Sequence, residues 1–259
     1  MVNYKYVSKE KTCSFDKIMP CSNQKKDVSV ILPTYNEKEN ITRLIQRISK
    51  AISKTKFSFE IIVADDNSQD GTGEIVDKLA RKTKTAVALH RYKKGNIFEA
   101  IKDAVKVSRG RIIVIMDADF SHPPEKIPEL LEYVGDYDLV SGSRFVKGGD
   151  VISTSQRSKY YTVLLNTFCR FVLGLKERDL TGGFHAIKKE KFNELKFRYP
   201  AIWGEFDLEL LYKAEKQGFK IKEVPFTYIF RKAGKSKATN LLQYAWVYFS
   251  RTLQLLFFR

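Results

Sequence analysis

An α/β fold, with a mostly parallel sheet covered by helices on both faces, is what this sequence predicts. Two observations carry the prediction. Short, continuous apolar runs alternate with segments of helical period through the first half of the chain, the pattern of parallel strands joined by crossover helices. Three of those runs end in polar, largely acidic turns, "PTYNE", "DDNSQDGT" and "DADFSHPPE". In open parallel sheets, ligands bind beyond such strand ends.

Taken in order, "DVSVILPTYNE" reads as a buried strand entering a turn. "KENITRLIQRISKAIS" follows, with Ile41, Leu44, Ile45, Ile48 and Ile52 at helical spacing. "FEIIVADD" is a second buried strand and "DGTGEIVDKLARKT" a second helix, whose start is suited to capping by Asp70 and Thr72. "TAVALHR" and "NIFEAIKDAVKVS" repeat the unit, and "RIIVIMDAD" is the fourth strand. Beyond residue 140 the pattern changes. "GSRFVKGGD" is Gly-rich and basic, "QRSKYYTVLLNTFCRFVLG" an amphipathic helix, and "LTGGFHAIKKEKF" a loop and strand. "EFDLELLYKAEKQG" is a helix, and "FKIKEVPFTYIFRKAGKSK" a strand running into a basic loop.

Residues 28–237 are read as one domain whose second half completes the site. Residues 1–27 hold no apolar run of signal-peptide length and are read as a mobile, mildly basic extension. Residues 238–259 are read as an apolar amphipathic helix. Its Gln243, Ser250, Arg251 and Gln254 share one face at about 100° per residue. It lacks the roughly eighteen consecutive apolar residues of a membrane span, so it is expected to lie at a membrane interface or to dock on a partner, with a core helix packed on the domain as the alternative.

A formal net charge of +16 over 259 residues calls for an anionic partner. Nucleic acid is not expected, because the basic residues sit in loops beside acidic clusters and no reader motif is present. Cys13, Cys21 and Cys169 have no metal-ligand spacing, and a reduced, intracellular protein is the default.

The chemistry centres on Asp117 and Asp119. Two carboxylates at the mouth of a buried strand repel unless a cation lies between them. Magnesium or manganese, which combine carboxylate, water and phosphate ligands, fit such a pair, and the metal would neutralise charge on a departing diphosphate. Asp65 and Asp66 close the second strand, where a carboxylate accepts hydrogen bonds from a base or ribose. Neither a P-loop nor a Gly-x-Gly-x-x-Gly turn follows the first strand, so ATPase and dinucleotide redox chemistry are not supported.

With "PTYNE", "DDNSQDGT", "DADFSHPPE", "GSR", "DLTGGF" and "RKAGKSK" in this order, the chain resembles the dolichyl-phosphate mannose synthases, within the inverting glycosyltransferases of family 2. The likeness runs from Val28 to Lys237. It implies a GT-A fold, Rossmann-like, and transfer of mannose from GDP-mannose to dolichyl (polyprenyl) phosphate with inversion. The enzyme is then metal-dependent, through Mg2+ or Mn2+, and peripheral on the cytoplasmic face of a membrane. A small membrane-anchoring subunit is an admissible partner. The alternative is a polyprenyl-phosphate glucosyl- or other hexosyltransferase using a UDP-sugar.

By that resemblance Pro33, Tyr35, Glu37, Asp65 and Asp66 line the nucleotide-sugar pocket, and Arg231 and Lys237 grip phosphate from a closing loop. Asp117, Asp119 and Ser121 hold the metal, and Asp119 and Arg144 are catalytic. Arg144 reaches the acceptor phosphate, and Glu209 matches the acid of an aromatic-x-x-Glu segment. The helix before Asn166 reads "YTVLLN" where relatives carry a Ser-Arg pair, so Arg157 and Lys159 are expected to supply the acceptor charge. His122 is read as part of the turn rather than as a proton donor, and His90 is given no role.

Overall fold

The computed structural model describes residues 3–16, 24–92, 95–152, 156–197, 205–229 and 241–257, with backbone alone at 156–158 and 241–242. A hairpin comes first, β1 (Tyr4–Val7) and β2 (Thr12–Phe15). The βα repeats follow as β3 (Lys26–Thr34), α1 (Ile41–Ile52), β4 (Phe59–Asp65), α2 (Thr72–Lys82), β5 (Ala86–Arg91), α3 (Ile97–Val107) and β6 (Gly110–Ile115). The second half holds α4 (Ile127–Tyr133), β7 (Leu139–Ser143), β8 (Asp150–Ile152), α5 (Gln156–Leu173), β9 (His185–Lys188) and α6 (Lys189–Glu194). It closes with α7 (Glu205–Lys216), β10 (Ile221–Pro225), β11 (Thr227–Ile229) and α8 (Leu241–Phe257).

One sheet runs in the order β10-β7-β9-β6-β3-β4-β5-β1-β2, and β8 pairs with β11 apart from it. Alternating side chains of each strand enter two cores. Ile31, Ile62, Val87 and Ile113 pack with α3, α7 and α8 on one face, and Val30, Ile61, Ala88 and Val114 pack with α1, α2 and α4 on the other. A sheet buried on both faces explains why its strands read as unbroken apolar runs. From β3 the chain steps to β4 on one side and later returns to β6 on the other. The crevice at the carboxyl ends of β3 and β6 is therefore the topological switch point.

Strand β9 is antiparallel to both neighbours, with His185 opposite Ile115 of β6 and Ser141 of β7. Its amino end thus meets the outgoing ends of β6 and β7, which delivers the preceding "DLTGGF" loop to the crevice.

Two terminal expectations change. The N-terminal extension is not simply mobile: β1 pairs with β5 and β2 pairs with β1, both antiparallel, so the hairpin covers what would be an open sheet edge. Helix α8 is not a free interfacial helix either. Arg251, one of its polar stripe, is buried with Nη1 2.8 Å from Glu209 and Nη2 3.6 Å from Glu205 of α7. Tyr248, Thr252 and Leu255 are buried beside it, while Trp246, Phe249 and Phe257 face outward. No helix among the described residues is long and apolar enough to cross a membrane.

Candidate active site

The turns after β3 and β4 are laced together by side chains. Asn36 adopts a left-handed φ of 55°, a conformation asparagine tolerates better than most residues. Its N–H donates to Ser68 Oγ at 2.8 Å, and its Oδ1 accepts from the Gln69 N–H at 2.9 Å. Glu37 N–H donates to Thr72 Oγ1, and Lys38 N–H to Asp70 Oδ2. Asp70 Oδ1 also accepts from the Thr72 N–H and hydroxyl at the start of α2. Burial pushes the Asp70 carboxyl up, but these donors hold it below the usual range. Along this rim Pro33 is half-buried, Tyr35 exposed, and Glu37 anchored by Asn40 at 2.7 Å.

Asp65 ends β4 and is buried. Its Oδ2 lies 3.5 Å from His90 Nδ1, and its Oδ1 has no hydrogen-bond partner. His90 Nε2 in turn meets Asp77 at 2.7 Å, and Lys5 of the N-terminal hairpin closes on Asp77 at 2.7 Å. Burial lowers the His90 pKa, but the hydrogen bonds and charges of Asp65 and Asp77 leave it raised overall. Asp66 is held by Arg91 Nη1 at 2.7 Å, and Arg91 also pairs with Asp103 at 3.1 Å. Sequence reasoning assigned no role to His90 or Arg91. The signal was strand register, which sets His90 beside Asp65.

The Asp-Ala-Asp turn is built on His122. This ring is fully buried, stacked on Phe184 at 5.2 Å and edged by Phe226 and Tyr228. Burial brings its pKa down to about 4, so the imidazole is neutral. Its Nδ1 accepts the Asp117 N–H at 3.0 Å, which assigns the ring proton to Nε2. The expected part of His122 in the turn is thus borne out. Asp119 Oδ1 accepts the Ser121 N–H at 3.0 Å. Between them Phe120 sits at a φ of 66°, its ring under the guanidinium of Arg47, which is itself forked onto Glu125. Strained backbone of this kind persists only where its surroundings over-determine it.

The Asp119 residue is buried and the Asp117 side chain is 40% exposed, so the pair offers hard oxygen donors from the floor and the rim of one crevice. No group of three or more His, Cys, Asp or Glu suited to a metal occurs among the described residues. This donor set fits a small divalent cation that completes its shell with water and phosphate oxygens.

Arg144, just past β7, is clamped by the buried Asp179. Nε donates to Oδ2 at 2.7 Å, Nη2 donates to Oδ1 at 2.6 Å, and Nη2 also reaches Thr181 Oγ1. Burial alone would lower the guanidinium pKa, but the Asp179 charge raises it. Two nitrogens are therefore committed inside the protein, and Nη1 carries no hydrogen bond among the described residues. Asp179 is itself fixed by the Glu223 carboxylate, which accepts its N–H at 3.1 Å. Gly183, with a φ of 66°, passes so close to His122 that a Cβ would lie 3.2 Å from the ring. That contact joins the "DLTGGF" loop to the aspartate turn.

The expected phosphate-gripping residues Arg231 and Lys237 lie outside the described residues, as does the side chain of Arg157. Lys159 pairs with Asp150 at 2.6 Å. Glu209 is buried between Arg251 and Lys213.

Residues 29–196 match the family described as "Glycosyl transferase family 2". The chain belongs to that family. It is 36% identical over 217 residues to the polyprenol monophosphomannose synthase of Mycolicibacterium smegmatis, covering 82% of this chain and 80% of that protein. It is also 36% identical to the dolichol-phosphate mannosyltransferase of Pyrococcus furiosus, covering 81% of this chain and 58% of that protein. Among solved structures, glucosyl-3-phosphoglycerate synthase from Mycobacterium tuberculosis, in complex with Mn2+, uridine diphosphate and phosphoglyceric acid, superposes with a TM-score of 0.66 at 20% identity. That alignment covers 90% of this chain and 79% of the other. As a family 2 glycosyltransferase the chain has the GT-A fold, with its mixed sheet flanked by helices.

Proposed function

We propose that this glycosyltransferase moves mannose from GDP-mannose to a polyprenyl (dolichyl) phosphate, with inversion, at a membrane surface. The observation that carries the reading is the meeting, at one crevice, of the Asp117–Asp119 turn and an Arg144 whose Nη1 carries no hydrogen bond among the described residues. The first suits a nucleotide diphosphate and the second an acceptor phosphate. Both named relatives transfer mannose to polyprenyl-type phosphates by name.

The acceptor phosphate is already ionised at neutral pH, so the protein's work is positioning and charge stabilisation rather than strong base catalysis. Asp65 Oδ1 accepts a base N–H, and Tyr35 and Pro33 border the nucleotide. Asp117 and Asp119 would hold a magnesium or manganese ion, which would supply neutralisation of the departing diphosphate. Asp179 and Thr181 hold the Arg144 guanidinium in plane, so that Nη1 meets the acceptor oxygen in a fixed orientation. Arg231 and Lys237 add cationic donors. Attack from the face opposite the diphosphate inverts the sugar carbon.

Helices α5 and α8 support the membrane setting. Tyr160, Leu164 and Phe171 of α5 and Trp246 and Phe257 of α8 are all more than half exposed, and a Phe168–Phe249–Trp246 stack bridges the helices. An exposed apolar face of this extent suits the interfacial region of a bilayer.

One observation favours a UDP-sugar donor instead. With Asp65 Oδ2 turned to His90, only Oδ1 is left for the base. One acceptor oxygen matches the single ring N–H of uracil better than the paired ring and amino donors of guanine. Incubating the protein with manganese and a short polyprenyl phosphate, in parallel with GDP-mannose, UDP-glucose and UDP-N-acetylglucosamine, tests both. Lipid-linked mannose from GDP-mannose alone is the expected result. Transfer from a UDP-sugar alone moves the enzyme to the second reading, and no transfer from any donor overturns both.

A further inference from the structure

Covering a sheet edge needs backbone pairing alone, yet the side chains of β1 reach further. Its register on β5 sets Lys5 opposite His90 and Tyr4 opposite Arg91. Strand β5 in turn sets His90 opposite Asp65 of β4. Successive residues of a strand point to opposite faces of the sheet. The three strands therefore carry two rows of side chains toward the "DDNSQDGT" turn, one row on each face.

On the α2 face the row is Lys5, His90 and Asp65, joined by Asp77 of that helix. Lys5 Nζ lies 2.7 Å from Asp77 Oδ2, His90 Nε2 lies 2.7 Å from Asp77 Oδ1, and His90 Nδ1 lies 3.5 Å from Asp65 Oδ2. The pair has little room to shift, since a Cβ at Gly73 would lie 3.1 Å from the His90 ring and 3.2 Å from Asp65 Oδ2. On the α3 face the row is Tyr4, Arg91 and Asp66, joined by Asp103. Arg91 Nη1 lies 2.7 Å from Asp66 Oδ1, and its Nε donates to Asp103 Oδ2 at 3.1 Å. The Tyr4 hydroxyl meets the same carboxylate: burial raises its pKa, and the Asp103 charge and a hydrogen bond to Asp103 raise it further. On each face, then, an aspartate of the turn is reached from β1 through one helix carboxylate and one basic side chain.

A carboxylate oxygen is aimed at a ligand only as well as the rest of its group is held. We propose that the N-terminal hairpin is a positioning element of the nucleotide site. Lys5, through Asp77 and His90, and Tyr4, through Asp103 and Arg91, hold Asp65 and Asp66 in the orientation that receives the nucleoside of the sugar donor. This rests on the reading of Asp65 as the acceptor for the base. The hairpin precedes residues 29–196, which match the family, so both relays begin outside the matched part of the chain.

The test is calorimetric titration of the full chain with GDP and, separately, with UDP, each in the presence of manganese. Tyr4→Phe with Lys5→Met keeps the ring that stacks on Phe15 at 5.8 Å and the aliphatic stem of the lysine, but removes the hydroxyl and the ammonium. Its dissociation constant for the tighter-binding nucleotide should rise roughly threefold, the scale of one partly exposed ion pair, with the number of sites per chain unchanged. Lys5→Arg keeps the charge on Asp77 and should bind as the parent does. Lys9→Met removes the same charge from an exposed position in the hairpin turn and should change nothing. A hairpin that merely stabilised the fold would lower the number of sites and leave the dissociation constant of the folded chains as it was. That result in the double variant, or a fully parental one, would overturn the proposal. Equal losses from Lys9→Met and the double variant would reduce the effect to bulk charge and overturn it too. Asp65→Ala separates the proposal from the reading beneath it, and should weaken nucleotide binding roughly tenfold or more. Parental binding in Asp65→Ala would overturn the base-acceptor reading and the proposal together. A loss there beside a parental double variant would overturn the proposal alone.

Discussion

The two ends of the central sheet handle buried charge in opposite ways. At the amino end, Glu60 is completely buried and completely satisfied. Its Oε1 accepts from Ser29 Oγ and the Arg109 N–H, both at 2.6 Å, and its Oε2 pairs with Arg109 Nε at 2.7 Å. The Gly110 N–H closes the network on Ser29 Oγ at 2.8 Å. At the carboxyl end, among the described residues, Asp65 keeps an oxygen without a partner and Arg144 keeps Nη1 without a hydrogen bond. The same residue types cement the fold at one end and are left unfinished at the other, where a ligand can complete them. Incompleteness alone is not function, however. Glu177 Oε2 is also without a partner, and burial, together with a hydrogen bond to Glu215, pushes that carboxyl up to about 7. There the group meets its surroundings by holding its proton more tightly than an ordinary carboxyl.

The largest effect expected from this contrast is on folding. Glu60→Ala leaves Arg109 buried without its partner and should cost about 3–5 kcal/mol in denaturant unfolding, while the turnover of whatever remains folded is unchanged. Asp119→Ala should do the reverse, with a roughly hundredfold to thousandfold loss in turnover and an unchanged unfolding midpoint. Normal turnover with normal metal dependence in that variant would remove Asp119 from the site. Smaller again is Lys237→Ala, expected to slow transfer about tenfold, or about 1.4 kcal/mol. A parental rate would take the basic loop out of the reaction.

The βα repeats were legible because strands buried on both faces announce themselves as continuous apolar runs and the helices as period-3.6 stripes. Asp65, Asp66, Asp117 and Asp119 were legible because they stand where those runs end. What stayed hidden depends on pairing between distant segments. The β1–β2 hairpin is only four residues per strand, YKYV and TCSF, around a charged turn, too short to stand out from a polar tail until β5 offers it an edge. Arg251 sits in a polar stripe that reads as solvent-facing, and it is buried because Glu205 and Glu209 of α7 arrive opposite it. The Arg144–Asp179 clamp joins residues 35 apart in the chain. The arginine could be assigned to phosphate from its motif, but not the carboxylate that occupies two of its nitrogens.

His90 gives the smallest effect and the finest test of the contrast, because it ties a finished group to an unfinished one. Its ring takes up one oxygen of Asp65 and leaves the other for the base, and Lys5 backs the arrangement through Asp77. The charged groups facing it come from β4, from α2 and, through Asp77, from β1, with Tyr92 stacked at 6.1 Å. Its folded pKa is raised above the ordinary 6.5. The stabilisation is therefore full below that ordinary value and is lost as the pH climbs through the raised one. The KM for the nucleotide sugar should accordingly rise roughly threefold across that upper window, by well under 1 kcal/mol, with kcat following its own profile. His90→Gln should show the higher KM at every pH and abolish the dependence. A parental KM that is flat with pH would mean that Asp65 is positioned by the strand alone. A change in kcat instead of KM would move His90 out of nucleotide binding and toward the sugar.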